Sequence, residues 1–473
     1  MRKMYEKVLA LALCGVLTTG LTACGGSTTG SNTNGSTNSS AGTEAGSGSG
    51  EAEGSAAAGG VTEVVFWHSN SGATGEALET IINNYNEGPG KEKGIFCKLI
   101  YQGYEGTDKV IMAYQTKDTA NAPDINQGLT STNSSVMDLG WSVPAERFLN
   151  DEAYAVSKDT FYEQMQRACT FEGEMVAIPF ANSVPMLYYN VEMLKEAGYE
   201  RPPATMDELI EYVKALTVVE DGKVVRYGLN MQVKRYQLVE FCVSQGEVSF
   251  FGNNEGGRLS PMTEVAAGED GTMKAFLDKL QLLIDTGGYK YIEDNINEEF
   301  AQGLHAMAVM SSSRMGTMDS LMPGEYMVGY LPKVNADDQG GAAVGGSCLN
   351  LFDRGDEERL KAAWDVIEYC VSPENQYIFA TASGYIPVNK ECENLPDMQA
   401  YYIENPQYKV ALEQLKDANP LSQEPLDMTY NEINGIIIEE MLDFCAGKMD
   451  AESAVERIVK RCNDSLDEYF ASN

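Results

Sequence analysis

The stretch VTEVVFW at 61–67 is a run of β-branched and aromatic residues around one acid, which predicts a strand. A Gly/Ser turn follows it, then a helical pattern over 76–85 and a second strand, IFCKLIY at 95–101. A second helix is predicted over 107–117, and APDINQG at 122–128 reads as a short strand edge. Strands alternating with short helices predict βαβ units and a largely parallel sheet. The next apolar segment is IPFANSVPMLYYN at 178–190, whose two runs read as buried strand. Between them Ala181, Asn182, Ser183 and Val184 insert small or polar side chains where a core strand would keep filling with Leu and Ile. Beyond this break, 191–197 reads as a helix ended by Gly198. PPATMDELIEYVKAL then opens another, with Thr205 as N-cap and Glu208 three residues on, the spacing of a capping box. A second α/β unit therefore begins after the interrupted strand. The C-terminal third is mostly helical. EERLKAAWDVIEYCVS is one helix, PENQYIFATAS starts another at Pro373, and Val455, Ile458, Val459, Cys462 and Leu466 form one core-packing stripe on the last.

The N-terminus has a different pattern. Arg2, Lys3 and Lys7 precede an apolar run over 8–17, the length of a signal-peptide core and about half of what a membrane-spanning helix needs. It ends in LTAC at 21–24, which resembles the lipobox of bacterial lipoproteins, where Cys24 is diacylated and becomes the mature N-terminus. An ordinary signal peptide with an incidental cysteine is the alternative. Residues 25–60 are Gly, Ser, Thr, Asn and Ala with a few Glu, and contain no aromatic residue and no Val, Ile, Leu or Met. Such a segment cannot bury enough apolar surface to offset its ordering entropy. It is expected to be a flexible tether with an r.m.s. span of about 33 Å. The expected plan is a signal peptide at 1–23 and a lipidated Cys24 with its tether at 24–60. The folded part is then held at the outer face of the cytoplasmic membrane of a bacterium of Gram-positive type.

Residues 61–473 are long enough for two domains. The formal charge of −36 repels phosphate backbones and argues against nucleic-acid binding. After Cys14 and Cys24 eight cysteines remain, none in a C-x-x-C pair. Secretion permits disulfides, but their apolar contexts predict mostly buried thiols. Two histidines, His68 and His305, leave little material for a metal site or a triad, so no metal and no cofactor are expected. G-x-S-x-G, H-E-x-x-H and Walker A patterns are absent. GGAAVGGS at 340–347 reads as a loop without the lysine of a P-loop, and EDNINEE at 293–299 lacks calcium-loop spacing. Paired carboxylates for glycoside hydrolysis stay open among 70 acids, but nothing singles out a pair.

Five stretches, read in order, carry a family likeness. They are VVFWHSNSG, YQGYEGTDKVIMAYQTKDTANAPDI, IPFANSVPMLYYNVEMLKEAGYERPPATMDEL, EEFAQGLHAMAVMSSS, and AVGGSCLNLF with AAWDVIEYCVSPENQYIFATASGYIPVN. Together they resemble the extracellular solute-binding proteins of ABC importers, in the carbohydrate group that contains the maltose and glycerol-3-phosphate binders. The resemblance implies an α/β, periplasmic-binding-protein-like (type II) fold, two α/β lobes with a hinge and a ligand cleft between them. Carried onto this chain, the lobes are 61–181 with 308–347 and 182–307 with 348–473. The crossings fall near 181–184, 307–311 and 344–349. The resemblance also implies a monomer that takes a small-molecule carbohydrate and meets the transmembrane subunits of a permease. Cleft residues carried over are Trp67, Ser69, Tyr104, Thr130, Asn182, Ser183, Ser311, Gly346, Tyr385 and Asn434. Aromatic faces suit the C–H face of a sugar, and hydroxyls, amides and backbone groups suit its hydroxyls. Glycerol-phosphate binders have Arg at the position of Asn434 and Glu at that of Thr130. Without that Arg a phosphate loses its charge-assisted fork, which favours a neutral carbohydrate over a sugar phosphate. The rivals are a glycerol-3-phosphate or sugar-phosphate binder, a tethered extracellular glycosidase or esterase, and a surface adhesin or sensor of the same fold.

Overall fold

The computed structural model describes residues 60–246, 250–291 and 295–472. The expected signal peptide, Cys24 and the tether lie outside them, as do Glu293 and Asp294 of the acidic stretch. In chain order the strands are β1 Thr62–His68, β2 Ile95–Tyr101, β3 Ile125–Leu129, β4 Ser142–Val143, β5 Thr170–Phe171, β6 Glu174–Met175 and β7 Ile178–Ser183. Then come β8 Pro185–Asn190, β9 Val218–Glu220, β10 Lys223–Asn230, β11 Tyr289–Lys290, β12 His305–Ser311, β13 Tyr326–Gly329 and β14 Gly345–Phe352. They build two six-stranded sheets: β2-β1-β3-β14-β4 with β7 also on β14, and β11-β10-β12-β8-β13 with β9 on β10. β5 and β6 form a separate hairpin.

The sheets are mixed where parallel ones were expected. β1 runs parallel to β2 and β3, and β10 parallel to β11 and β12. β14 is antiparallel to β3, and β8 is antiparallel to β12 and β13. The parallel part ends where strands enter by crossing directly from the other sheet, without the helical crossover that a parallel neighbour requires. The stretch 122–128, read as a strand edge, supplies β3 in the interior of the first sheet.

Strand alternation explains how β8 and β12 stay buried on both faces. Leu187, Met307 and Val309 join a core with the helices Met206–Leu216, Arg235–Val243 and Thr272–Asp285. Met186, Tyr188, Ala308 and Met310 point the other way. They continue the core of the first sheet, which holds Phe66, Phe180, Trp364 and Phe379. Thr205 caps its helix through Oγ, accepting from the Glu208 N–H at 3.2 Å. The Glu208 carboxylate reaches one residue further back than a capping box, accepting from the Ala204 N–H at 2.8 Å and pairing with Arg201. All eight cysteines of the folded part are buried thiols outside any disulfide among the described residues.

The expected lobe boundaries need correction. β12, part of it assigned to the first lobe, pairs wholly within the second sheet. β14 runs on to Phe352 in the first sheet, and the helices Glu357–Cys370 and Pro373–Ser383 pack on the first core. The small residues at 307–311 and 344–349 are therefore strand ends beside crossings. The chain crosses at Val184, over 330–344, and again over 418–429 towards the second-core helix Tyr430–Cys445; the crossing expected near 307–311 is not one, because β12 and β13 on either side of 312–325 share the second sheet.

Candidate functional site

The crossings bring the C-terminal ends of both sheets together, lined by polar residues. At the first sheet, Asn70 Nδ2 donates to Gln127 Oε1 at 2.8 Å, and Gln127 Nε2 donates to Ser347 Oγ at 2.8 Å. Ser347 Oγ donates in turn to the Phe180 carbonyl at 3.0 Å. This chain ties β1, β3, β14 and β7 into one rigid rim. Ser69 joins it through a long N–H contact to Gln127 Oε1, 3.4 Å. Thr130 Oγ1 sits 3.5 Å from the Gly346 carbonyl.

The break in IPFANSVPMLYYN is a β-bulge. Gly346 pairs with Asn182 but Ser347 pairs with Phe180, so Ala181 is the extra residue, at φ +54°. Gly346 faces it at φ +96°, and a Cβ there would stand 2.2 Å from the Ala181 carbonyl oxygen. Asn182, expected to face a ligand, is fully buried and donates to the Gly345 and Ser347 carbonyls at 3.2 Å each. Its amide holds the crossing together. Ser183 is buried at the last position of β7.

Opposite lies a hydroxyl-rich corner at the end of β12. Ser311 Oγ lies 2.9 Å from Ser313 Oγ. The Tyr385 hydroxyl lies beside Ser313 and Tyr104, within the field of Arg314, and burial pushes it up to about 12, so it is a neutral donor. The Tyr385 ring stacks on Phe379 at 5.8 Å between centroids, while Tyr104 is 79% exposed. Asn434 lies one helical turn past Tyr430 on the same face, and Tyr430 stands beside Ser131 of the first sheet's rim. Trp67 is not brought to this site. Its ring packs among Val110, Val136, Leu139 and Phe352 at 7% exposure, because position 67 of β1 points to the face covered by the helix Gly106–Thr116.

Several residues here were not expected from the sequence. Asn230, at the end of β10, is fully buried with both amide atoms unpartnered, and Gln232 Oε1 nearby is also unpartnered. Their only sequence signal was polarity at the end of an apolar run, as in the INQG of β3. The helix Arg235–Val243 anchors two of the crossings. Arg235, 1% exposed, pairs with Glu424 at 2.8 Å and Asp427 at 2.7 Å, and its guanidinium lies 4.4 Å from the Tyr430 ring centroid. Glu240, fully buried, accepts from the Ala343 N–H at 2.7 Å, and burial pushes its carboxyl well up. Among the described residues no group of three or more His, Cys, Asp or Glu could hold a metal ion, and no helix is long and apolar enough to cross a membrane.

Comparison with known proteins places this geometry. Residues 80–408 match the family described as bacterial extracellular solute-binding protein. The sn-glycerol-3-phosphate-binding periplasmic protein UgpB of Salmonella typhimurium is 26% identical over 424 residues, spanning 86% of this chain and 93% of that protein. The sugar-binding protein MalE of Xanthomonas citri superposes with TM-score 0.72 at 18% identity, over 86% of this chain and 98% of its own. UgpB of Mycobacterium tuberculosis in complex with glycerophosphocholine superposes with TM-score 0.68 at 20% identity, over 88% and 100%.

Proposed function

This chain belongs to the bacterial extracellular solute-binding proteins, and we propose that the solute it captures for a membrane permease is a carbohydrate or polyol. The observation that carries the reading is the set of hydroxyls and amides, several without partners, at the sheet ends where the chain crosses. A polyhydroxylated ligand satisfies such groups from both sides at once. The ligand then makes contacts in a closed arrangement that an open one lacks, and binding shifts the population towards closure. Micromolar capture needs about −8 kcal/mol. Several net hydrogen bonds of about 1 kcal/mol each, with ring stacking on Tyr104 or Tyr385, supply interaction of that order.

In the proposed site Tyr104 and Tyr385 cover the ligand's apolar face. Ser69, Thr130, Ser183, Ser311 and the Gly346 backbone meet its hydroxyls, and Asn434 closes the side towards Tyr430. Cys24 carries the lipid that keeps the chain near the permease. Titration calorimetry over hexoses, oligosaccharides and pentitols tests the ligand class. The expected result is a saturable heat that Tyr385→Ala weakens tenfold or more, with compaction of the liganded protein in X-ray scattering. Hydrolysis of an oligosaccharide in the same cell would instead favour a glycosidase. Metabolic labelling with palmitate, lost in Cys24→Ala, tests the anchor.

A further inference from the structure

Arg314 stands apart from every other described arginine. The others each hold a carboxylate or a backbone carbonyl, Arg226 on Leu216 and Arg258 on Arg167 being the carbonyl cases. The Arg314 guanidinium is exposed and has no hydrogen bond or ion pair among the described residues. It remains unpaired in a chain with 70 acids against 34 lysines and arginines, where a carboxylate partner is easily found. Its position is specific. It follows the end of β12, next to Ser313 and within the field of the Tyr385 and Tyr188 hydroxyls, at the hydroxyl-rich corner of the proposed site.

Arg314 also lines a pocket of about 480 Å³ with Gln232, Lys234, Asn297 and Glu298, a volume within the range of about 300–1,000 Å³ usual for small-molecule sites. Gln232 Oε1 and Asn297 Oδ1 are buried acceptors there without donors. A planar guanidinium with its fork open suits paired anionic oxygens, and orphan amide oxygens suit hydroxyl donors. Glu298, the one described acid lining the pocket, opposes a second negative charge and so limits the ligand to one acidic group.

Resting on the carbohydrate reading, we propose that the ligand is an acidic sugar or polyol, a uronate or aldonate, whose carboxylate is held by Arg314, with its hydroxyls on Gln232 and Asn297. This moves the anion site from Asn434 to Arg314 and replaces the neutral ligand that Asn434 alone suggested.

The test is calorimetry on the full chain in detergent with four sets of probes: neutral hexoses and pentitols, the matching uronates or aldonates, their phosphate monoesters, and inorganic phosphate. The uronate or aldonate is expected to bind at least tenfold more tightly than its neutral parent. A phosphate monoester binding more tightly than the matching carboxylate overturns the inference. Arg314→Gln is expected to remove that advantage, and Arg314→Lys to restore part of it. Neutral parents binding as tightly as acidic ones, or acidic binding that Arg314→Gln leaves unchanged, overturns the inference and leaves the carbohydrate reading standing. Heat from inorganic phosphate alone, with no sugar or polyol bound, overturns both. Because Arg314 is exposed, its replacement does not disturb the core, and an unchanged melting temperature confirms folding in each variant.

Discussion

Gly346→Ala isolates the geometry of the crossing. Gly346 has φ +96°, so any L-residue there costs about 1–2 kcal/mol. Its Cβ would also stand 2.2 Å from the Ala181 carbonyl oxygen, a backbone atom of the bulge that cannot rotate aside. Forcing such an overlap adds about 1–3 kcal/mol, giving a total of about 2–5 kcal/mol. Gly355→Ala is the control, since Gly355 has a similar φ of +84° but no atom within 4 Å of its Cβ position. It bears only the first cost. Urea unfolding followed by tryptophan emission measures both. All three tryptophans, Trp67, Trp141 and Trp364, pack in or against the cores around the first sheet, to which β14 belongs. The expected result is a midpoint loss for Gly346→Ala clearly beyond that of Gly355→Ala, at unchanged m. Losses within 0.5 kcal/mol of one another, roughly the noise of additivity, would refute the close-approach argument.

Three further outcomes follow from the same packing. His305 is 1% exposed with both ring nitrogens unpartnered, and burial, with Lys290 nearby, lowers its pKa to about 4. The unfolded chain, with a His pKa of about 6.5, binds the proton first, so stability falls as pH drops from about 6.5 to 4, by at most about 3 kcal/mol. His305→Gln should flatten that slope in denaturant titrations at pH 7, 6 and 5, and an unchanged slope counts against the assignment. Glu240 has the opposite sign. Its folded pKa is raised, so its contribution is full below the unfolded value near 4.3 and is lost as pH rises. Glu240→Gln should therefore gain on the native chain between pH 5 and pH 8, and a widening deficit would contradict a protonated carboxyl. Trp67→Ala should destabilise by about 3–5 kcal/mol while the folded fraction keeps its ligand affinity in calorimetry. A specific loss of affinity would return Trp67 to the cleft.

The two-lobed architecture was readable because each unit keeps its own apolar period and the break between them is short. β1, β2, the helix capped by Thr205 and the helix starting at Pro373 all lie where their patterns put them. Direction within a doubly buried strand was not readable. Val64 and Phe66 face one core while Val65 and Trp67 face another cluster, so an apolar run gives no sign of which side meets the cleft. The lobe boundaries were misplaced for a related reason. Small residues mark a strand end near a crossing but do not say to which sheet the strand belongs, and that depends on pairings more than a hundred residues away, such as β14 with β7. Arg314 was missed because a lone arginine carries no local signal. Its character comes from the missing partner, which only tertiary structure reveals.

The interruption in IPFANSVPMLYYN combines three separate demands. Ala181 is small because it is the bulged residue at positive φ, packed against Gly346. Asn182 is polar because the bulge leaves the Gly345 and Ser347 carbonyls for its amide to fill. Val184 is apolar because the link itself is fully buried, with its carbonyl accepting from the Ser312 N–H at 2.8 Å. That last bond joins this crossing to the end of β12. The crossings at 330–344 and 418–429 are instead fastened to the helix Arg235–Val243, through Glu240 and through Arg235. One linkage is thus tied to the end of β12, and two are tied to one lobe, by a buried hydrogen bond and by a buried ion-pair network that is costly to break. In the proposed closure, rotation of one lobe against the other is easiest about the Val184–Ser312 pair. In the proposed site Ser183 and Ser311 border that axis, where closure would move groups least and a ligand would touch both lobes throughout the motion.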